Sequence, residues 1–146
     1  MTVRETFGEE ETRALGRELG RAAEPGEVYV LTGDLGTGKT VLAQGFAEGL
    51  GIRRAVNSPT FTILQPYAGG RLPFCHMDVY RLEEEDEFLA VGGEEYFGGD
   101  GVVLVEWGEK IEGLLPADAV RIRLEKDPAR GFGYRRITVE GKEAEA

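Results

Sequence analysis

Residues 28–40, VYVLTGDLGTGKT, decide the fold of this chain. The stretch begins as a short apolar strand. It then fills the pattern G-x-x-x-x-G-K-[ST] with Gly33, Gly38, Lys39 and Thr40. Glycine lets the backbone turn with positive φ, so that several N–H groups can surround one phosphate. The stretch therefore predicts a P-loop that binds the β- and γ-phosphates of a nucleotide together with Mg²⁺.

The segments on both sides of this loop have the context that a P-loop requires. Glu27–Thr32 is rich in β-branched and aromatic residues, as is typical of a strand. Val41–Leu50 carries apolar residues at helical spacing, and Gly51 stands where a glycine commonly ends a helix. The positive end of that helix dipole would add to the attraction for phosphate.

Length and composition indicate one globular domain over residues 1–146. The hydrophobic fraction is 41% and the charged fraction is 30%, which is typical of soluble proteins. Residues 141–146 are expected to form a loose tail. No apolar run approaches the roughly 20 residues that span a bilayer, and residues 1–10 contain no apolar signal segment. We therefore expect a cytoplasmic protein without a membrane partner.

Two further properties of the composition argue against particular functions. The formal net charge of −10 is unsuited to holding the phosphate backbone of a nucleic acid. If the protein serves a nucleic acid, we expect a partner to hold it. The single cysteine, Cys75, lies in an apolar run and is expected to be a small core residue, not a nucleophile.

The rest of the chain alternates between helical and extended patterns. Thr6–Glu9 matches a capping box, and a helix is predicted from there to about Ala22. The further predicted elements are two hairpin strands, Thr60–Gln65 and Leu72–Tyr80, an acidic helix, Glu83–Leu89, a buried parallel strand, Val102–Val105, and an antiparallel pair, Ala119–Glu125 and Arg135–Glu140. The sequence thus predicts an α/β protein with a P-loop NTPase-type three-layer fold, in which a mixed sheet has a parallel core and antiparallel additions.

Two acidic residues at strand ends are candidates for the second half of the site. Glu106 follows the apolar run 102–105, and Asp78 ends a run that follows Pro73 and is expected to be more peripheral. A P-loop protein needs such a carboxylate to hold Mg²⁺ or its water. Period-2 alternation places His76 on the same face as Asp78, where it could support the site.

The sequence favours ATP over GTP. Guanine-specific GTPases carry Asn-Lys-x-Asp and Asp-x-x-Gly, but the only asparagine, Asn57, is followed by Ser58, and no aspartate precedes a glycine by three residues. One alternative function is a small-molecule kinase with a reduced lid, and stimulation of ATP consumption by a metabolite would identify it. A second alternative is a non-catalytic sensor of ATP, which would work equally well with a slowly hydrolysed ATP analogue.

Several motifs together resemble the TsaE family (older name YjeE) of small bacterial ATPases. The matching pieces stand in family order over most of the chain, whereas the C-terminal strands match loosely. These pieces are residues 12–16, residues 33–40, Ser58–Thr62, His76–Leu82 and Glu106-Trp107. The resemblance implies a slow Mg-ATPase of the pathway that makes threonylcarbamoyladenosine (t6A) at position 37 of tRNA. Such a protein would dock on the TsaB–TsaD pair and reset it between turnovers, with TsaC upstream and tRNA contacted only through these partners.

The resemblance also implies roles for single residues. Lys39, Asp78 and Glu106 would be the catalytic residues, with either carboxylate as the general base. Thr40 and Glu106 would ligate Mg²⁺. ATP would contact Asp34, Leu35, Gly36, Thr37, Gly38, Lys39 and Thr40, with Thr60 as the γ-phosphate sensor, and also Trp107, Glu9, Thr12 and Arg135.

Overall fold

The computed structural model describes residues 1–34, 37–53 and 63–141. Its strands are β1 (Thr2–Thr6), β2 (Val28–Thr32), β3 (Leu64–Tyr67), β4 (Phe74–Asp78), β5 (Val102–Glu106), β6 (Val120–Lys126) and β7 (Arg135–Glu140). Its helices are α1 (Glu9–Ala22), α2 (Lys39–Gly49) and α3 (Glu85–Ala90), with 3-10 helices at Gly93–Tyr96, Gly108–Leu114 and Pro128–Arg130. The predictions for Leu35, Gly36, Thr60 and the tail beyond Gly141 lie outside the described residues.

The seven strands form one mixed sheet in the order β1-β7-β6-β2-β5-β4-β3. The four central strands β6, β2, β5 and β4 are parallel, whereas β3, β7 and β1 pair antiparallel with their neighbours. The predicted hairpin and the predicted C-terminal antiparallel pair are confirmed. β6 also joins the parallel core by pairing with β2. The sequence did not indicate this pairing, because one face of β6 is partly exposed and its residues therefore alternate as in an antiparallel strand.

Alternate residues of the central strands β2, β4 and β5 enter two different cores, which gives the molecule three layers. On one face of the sheet, Leu31 and Leu104 pack in the core that α1 and α2 cover. On the other face, Val30 and Val105 pack in the core that includes α3 and the 3-10 helix after β5. β5 is buried over its whole length because both faces of the sheet are covered there. The prediction of a buried parallel strand over Val102–Val105 is confirmed.

Helix α1 lies directly against helix α2, backbone on backbone. A Cβ added to Gly20 would lie 2.1 Å from the carbonyl oxygen of Phe46, and one added to Gly45 would lie 2.1 Å from that of Arg13. At the exposed edge of this contact, Arg13 and Arg17 donate hydrogen bonds to the Glu48 carboxylate. The two helices therefore pack as closely as their backbones allow, and the start of α2 is fixed relative to α1.

The helix ends agree with the sequence in two places. Helix α1 ends at Ala22, where Arg71 donates hydrogen bonds to three backbone carbonyls. Helix α2 begins at Lys39, and the φ of +85° at Gly51 is the left-handed conformation expected after its C-terminus. Among residues 1–34, 37–53 and 63–141, the structure contains no helix that is long and apolar enough to cross a membrane.

The N-terminus differs from the prediction. Residues 2–6 form strand β1, which pairs antiparallel with β7 and was not foreseen. The capping box at Thr6–Glu9 is wrong, because α1 begins at Glu9 with Gly8 as its N-cap and no side chain caps it. The Thr6 hydroxyl instead lies 2.7 Å from the hydroxyl of Thr12 and is buried. The polar residue that resembled a cap thus joins the end of β1 to the first turns of α1.

Candidate functional site

One cavity of about 730 Å³ opens at the carboxyl ends of the parallel strands. This edge of a parallel sheet collects the loops that follow neighbouring strands. The beginnings of α1 and α2 and the turn before β7 complete the walls. The lining residues are Gly8, Glu9, Thr12, Thr37, Gly38, Lys39, Thr40, Val41, Asp78, Tyr80, Arg81, Glu106, Trp107, Gly133 and Arg135.

The glycine-rich loop enters this cavity in a conformation that depends on glycine. Gly33 has a φ of +153°, and a Cβ there would lie 2.8 Å from the carbonyl oxygen of Leu124. Thr37 is buried, and both its backbone N–H and its hydroxyl donate to the carbonyl oxygen of Asp34, at 3.2 and 2.7 Å. Gly38 has a φ of +99° and is the N-cap of α2. The loop therefore turns sharply and presents the start of α2 to the cavity.

Lys39 is almost fully buried, although it carries an ammonium group at the start of a helix. Its side chain is held by an aromatic ring, because Nζ lies 4.4 Å from the centroid of the Trp107 indole. Trp107 has a φ of +63°, an unusual conformation for a bulky residue, and its ring packs 4.8 Å from that of Tyr80. The turn after β5 thus aims the indole at the lysine of the loop.

The two candidate carboxylates lie side by side at the ends of adjacent strands. Asp78 of β4 is directly opposite Glu106 of β5 in the parallel register. Glu106 is 4% exposed, and its Oε2 lies 2.7 Å from Nε2 of His76, which is 1% exposed. Asp78 is half-buried, and its Oδ1 accepts a hydrogen bond from the N–H of Tyr80. The environment therefore distinguishes the two acids: Glu106 is buried and bonded to a buried histidine, whereas Asp78 is half-buried.

Strand β4 presents different chemistry on its two faces, as the alternation predicted. His76 lies on the α2 side, where its Nδ1 is buried and has no hydrogen-bond partner among the residues that the structure describes. The tautomer with its proton on Nε2 pairs that proton with the Glu106 carboxylate, whereas a proton on Nδ1 would have no acceptor among these residues. Cys75 lies on the other face in the core around α3, and burial raises the pKa of its thiol to about 12. This thiol is a core group, as the sequence predicted.

The comparisons with known proteins agree with each other. The family model described as threonylcarbamoyl adenosine biosynthesis protein TsaE matches residues 6–137. The chain belongs to the TsaE family. It is 53% identical over 121 residues to the tRNA threonylcarbamoyladenosine biosynthesis protein TsaE of Bacillus subtilis, covering 83% of this chain and 75% of the relative. The corresponding protein of Treponema pallidum is 44% identical over 130 residues, covering 89% and 93%.

A solved structure supports the same assignment at the level of the fold. The crystal structure of Bacillus YdiB superposes with a TM-score of 0.79 at 43% identity, covering 94% of this chain and 83% of that one. Like the mixed sheet itself, this similarity confirms the predicted P-loop NTPase-type α/β fold.

Most of the site residues predicted from the TsaE resemblance come together in the cavity. Those that line it are Glu9, Thr12, Thr37, Gly38, Lys39, Thr40, Asp78, Glu106, Trp107 and Arg135. Asp34 is exposed and is not among the lining residues, although its carbonyl holds Thr37 in place. Leu35, Gly36 and Thr60 belong to segments that the structure does not describe. The spatial grouping thus holds for residues that are far apart in the sequence.

The cavity also contains residues that the sequence did not assign to the site. Tyr80 and Arg81 line it directly after β4, and the motif that contains them offered a signal for this position. Gly133 lines it too. A side chain would not fit there, because a Cβ would lie 2.6 Å from the carbonyl oxygen of Phe7. No sequence pattern marks Gly133, since this close approach joins the turn before β7 to the end of β1.

The described residues contain no cluster of three or more His, Cys, Asp or Glu side chains that could hold a metal ion by itself. The cavity nevertheless holds the Thr40 hydroxyl and the paired carboxylates of Asp78 and Glu106. Mg²⁺ is commonly bound through one or two such groups, with water and nucleotide phosphates supplying the other oxygens. The donors of this cavity fit that kind of site.

Proposed function

We propose that this protein is the Mg-dependent ATP-binding and ATP-hydrolysing subunit needed for t6A37 modification of tRNA. It docks on the TsaB–TsaD pair in the cytoplasm and resets it between turnovers, with TsaC acting upstream. One observation carries the proposal: in a member of the TsaE family, the P-loop lysine and two strand-end carboxylates line the same cavity.

The phosphate end of the nucleotide lies against the start of α2. Backbone N–H groups of Asp34–Lys39 surround the phosphates, and the free amides and dipole of the helix N-terminus favour negative charge there. The Lys39 ammonium adds a positive charge. Nζ lies at the Trp107 ring, and Lys39 lines the cavity in which it would meet the β- and γ-phosphates.

The helix start and the strand ends supply the groups that would hold the metal. Thr40 and Glu106 would ligate Mg²⁺, which would supply positive charge to offset that of the phosphates. His76 keeps the Glu106 carboxylate in one orientation through the buried hydrogen bond. Asp78 is less buried, lies opposite Glu106 and would orient the attacking water. Either carboxylate could act as the general base, because both stand at the ends of adjacent strands.

The remaining cavity residues border the nucleotide or report its state. By resemblance, Glu9, Thr12 and Arg135 border the nucleotide, and all three line the cavity. By resemblance, Thr60 senses the γ-phosphate, and the partner proteins read the positions of Trp107 and of the segment Ser58–Thr60. The net charge of −10 supports a protein that acts on a tRNA-modifying enzyme without holding tRNA itself.

The decisive experiment is multiple-turnover t6A formation in a reconstituted mixture of TsaB, TsaC, TsaD and tRNA. The mixture is tested without this protein, with the wild type, with Lys39→Ala and with Lys126→Ala. Lys126 is the matched control because it is an exposed lysine that does not line the cavity. We expect modification beyond one round only with the wild type and the Lys126 variant.

Two measurements on the same proteins separate the parts of this proposal. ATP hydrolysis is measured with and without TsaB–TsaD, and a slowly hydrolysed ATP analogue replaces ATP in the modification assay. If the analogue sustains multiple rounds, hydrolysis is not the resetting step and the protein is a sensor of ATP. If modification proceeds equally well without the protein, its role in the pathway is different and only the nucleotide site stands.

A further inference from the structure

Arg135 lies on the wall of the cavity and, within residues 1–34, 37–53 and 63–141, donates three hydrogen bonds to backbone carbonyls. Its Nη1 donates to the carbonyl oxygens of Phe132 and Tyr134, at 3.1 and 2.7 Å, which fixes the guanidinium to the turn before β7. Its Nε donates to the carbonyl oxygen of Thr37 at 2.8 Å. This third bond connects the C-terminal strand to the glycine-rich loop, 98 residues earlier in the chain.

The carbonyl that Arg135 holds belongs to the peptide bond by which the chain enters α2. This bond is trans, so the Thr37 carbonyl and the Gly38 N–H point to opposite sides of the same peptide plane. Holding the carbonyl on Arg135 therefore directs the Gly38 N–H away from Arg135. The next amides, those of Lys39 and Thr40, lie in the first turn of α2, where the helix provides no acceptors.

The peptide needs such a contact because of the residue that follows it. Gly38 has no Cβ, so it tolerates either sign of φ, and the Thr37–Gly38 peptide can rotate at little steric cost. On the N-terminal side, Thr37 is already fixed, since its hydroxyl and N–H both bond Asp34. On the C-terminal side, the carbonyl oxygen of Thr37 bonds Arg135.

We propose that Arg135 is a positioning residue that sets the orientation of the Thr37–Gly38 peptide and so prepares the loop for a phosphate chain. It acts through the hydrogen bond from Nε and not through its positive charge. The inference rests on the proposed nucleotide site, and it assigns part of the affinity for phosphate to a strand outside the parallel core.

Three variants separate the hydrogen bond from the charge. In Arg135→Gln, the amide nitrogen stands the same number of bonds from Cα as Nε, so it can donate to the Thr37 carbonyl without a charge. Arg135→Lys keeps the charge but has a methylene at that position. Arg135→Met has neither. All three lose the Nη1 bonds to the turn, so this structural cost is common to the series.

The readout is the dissociation constant by calorimetry for two probes, Mg-ATP and Mg-tripolyphosphate, which has phosphates but neither base nor ribose. We expect Arg135→Gln to bind both probes within about threefold of the wild type. We expect Arg135→Lys and Arg135→Met to bind both about tenfold or more weakly, because the Thr37 carbonyl loses its hydrogen bond and no longer fixes the peptide. Arg136→Gln, an exposed neighbour on β7, should bind like the wild type.

Other outcomes would overturn the proposal in distinguishable ways. If the lysine variant binds normally and the glutamine variant does not, Arg135 acts through its charge. If the variants weaken ATP but not tripolyphosphate, Arg135 contacts the nucleoside and does not position the loop. If the wild type binds both probes and all variants match it, the inference alone fails. If the wild type binds neither probe, the proposed nucleotide site fails and this inference fails with it.

Discussion

The two faces of the sheet are closed in different ways. On one face, α1 packs on α2 through glycines, and each added Cβ would meet a carbonyl oxygen of the other helix. On the opposite face, α3 packs through a large side chain, since Phe88 is fully buried beside Phe97 and under Gly93. The first contact has no spare volume and is made by the backbone, whereas the second contact is made by side chains that substitution can remove.

This difference separates positioning from stabilisation. The P-loop leads into α2, so the backbone contact with α1 fixes the orientation of the helix that is proposed to bind phosphate. The face with α3 lies on the side of the sheet away from α1 and α2, and its contribution is apolar burial. We therefore expect the α1–α2 face to be sensitive to added atoms and the α3 face to be sensitive to removed ones.

The largest effect is expected for Phe88→Ala. Removing a fully buried ring leaves a cavity that the short helix α3 can fill only partly, so the free energy of unfolding should fall by about 3–5 kcal/mol. Urea denaturation followed by circular dichroism measures this loss. In the same background, Gly93→Ala should cost little, because the ring that a Cβ would meet at 2.3 Å is gone. A loss below about 1 kcal/mol for Phe88→Ala would contradict this view of the face.

Gly45→Ala tests the other face and should lower the free energy of unfolding by about 2–3 kcal/mol. The added methyl meets the carbonyl oxygen of Arg13, and a backbone atom cannot move aside without shifting α1. Arg13→Ala should not relieve this clash, because it leaves the carbonyl in place. Gly99→Ala is the control, since a Cβ there would meet only the carbonyl oxygen of Tyr96 at an ordinary contact distance of 3.9 Å. If Gly45→Ala stabilised the protein through helix propensity, the close contact would be refuted.

His76→Leu probes the buried polar pair that β4 and β5 form on the α2 face of the sheet. Without the imidazole, the buried Glu106 carboxylate loses its donor, and we expect a loss of about 2 kcal/mol in the free energy of unfolding and slower ATP hydrolysis. His76→Gln, which restores a donor, should recover part of both. Met77→Leu, on the opposite face of the same strand, is the control and should cost less than about 1.5 kcal/mol. Equal behaviour of the leucine and glutamine variants would argue against the hydrogen bond.

The smallest effect is expected at the exposed edge of the α1–α2 contact. Hydrogen bonds from Arg13 and then Arg17 hold the pKa of Glu48 below its reference value of 4.5. A lowered pKa means that the folded state binds the proton less well, so this contribution to stability is present above about pH 4.5 and is lost as the pH falls through the folded value. Because the Glu48 side chain is 35% exposed, Glu48→Gln should cost less than about 1 kcal/mol at neutral pH.

Stability measured from pH 7 to pH 3 checks this last prediction. The difference between the wild type and Glu48→Gln should shrink toward zero at the acidic end, and added salt should reduce it at neutral pH. A difference that grows on acidification would have the wrong sign for a carboxylate with a lowered pKa.

The sequence predicted the centre of the fold well because its signals there are local. The glycine pattern ending in Lys39, the continuous apolar run of β5 and the alternation in β4 each specify an element and its buried face. Together these patterns are enough to group Glu106, Asp78 and His76 at one place in the molecule. The grouping follows because parallel strands bring their carboxyl ends to one edge of the sheet.

The sequence failed where the structure depends on contacts between distant segments. Strand β1 is half exposed and forms only because β7 offers it an edge, so its own pattern is weak. Gly133 and the hydrogen bond between Arg135 and Thr37 join the C-terminal strand to the first part of the chain. No spacing rule predicts such contacts, which arise from the packing of the whole sheet.

The position of Trp107 gives the protein a built-in optical label. It is the chain's single tryptophan, and its ring contacts both the ammonium of Lys39, at 4.4 Å, and the ring of Tyr80, at 4.8 Å. All tryptophan emission therefore comes from one wall of the cavity, and a shift in that emission reports events at this wall and nowhere else. A thermal melt followed by tryptophan emission would register local loosening of the site even while the distant edge at β1 stays folded. Circular dichroism follows the unfolding of the whole sheet. A comparison of the two melting curves would therefore measure how cooperatively the site and the sheet unfold.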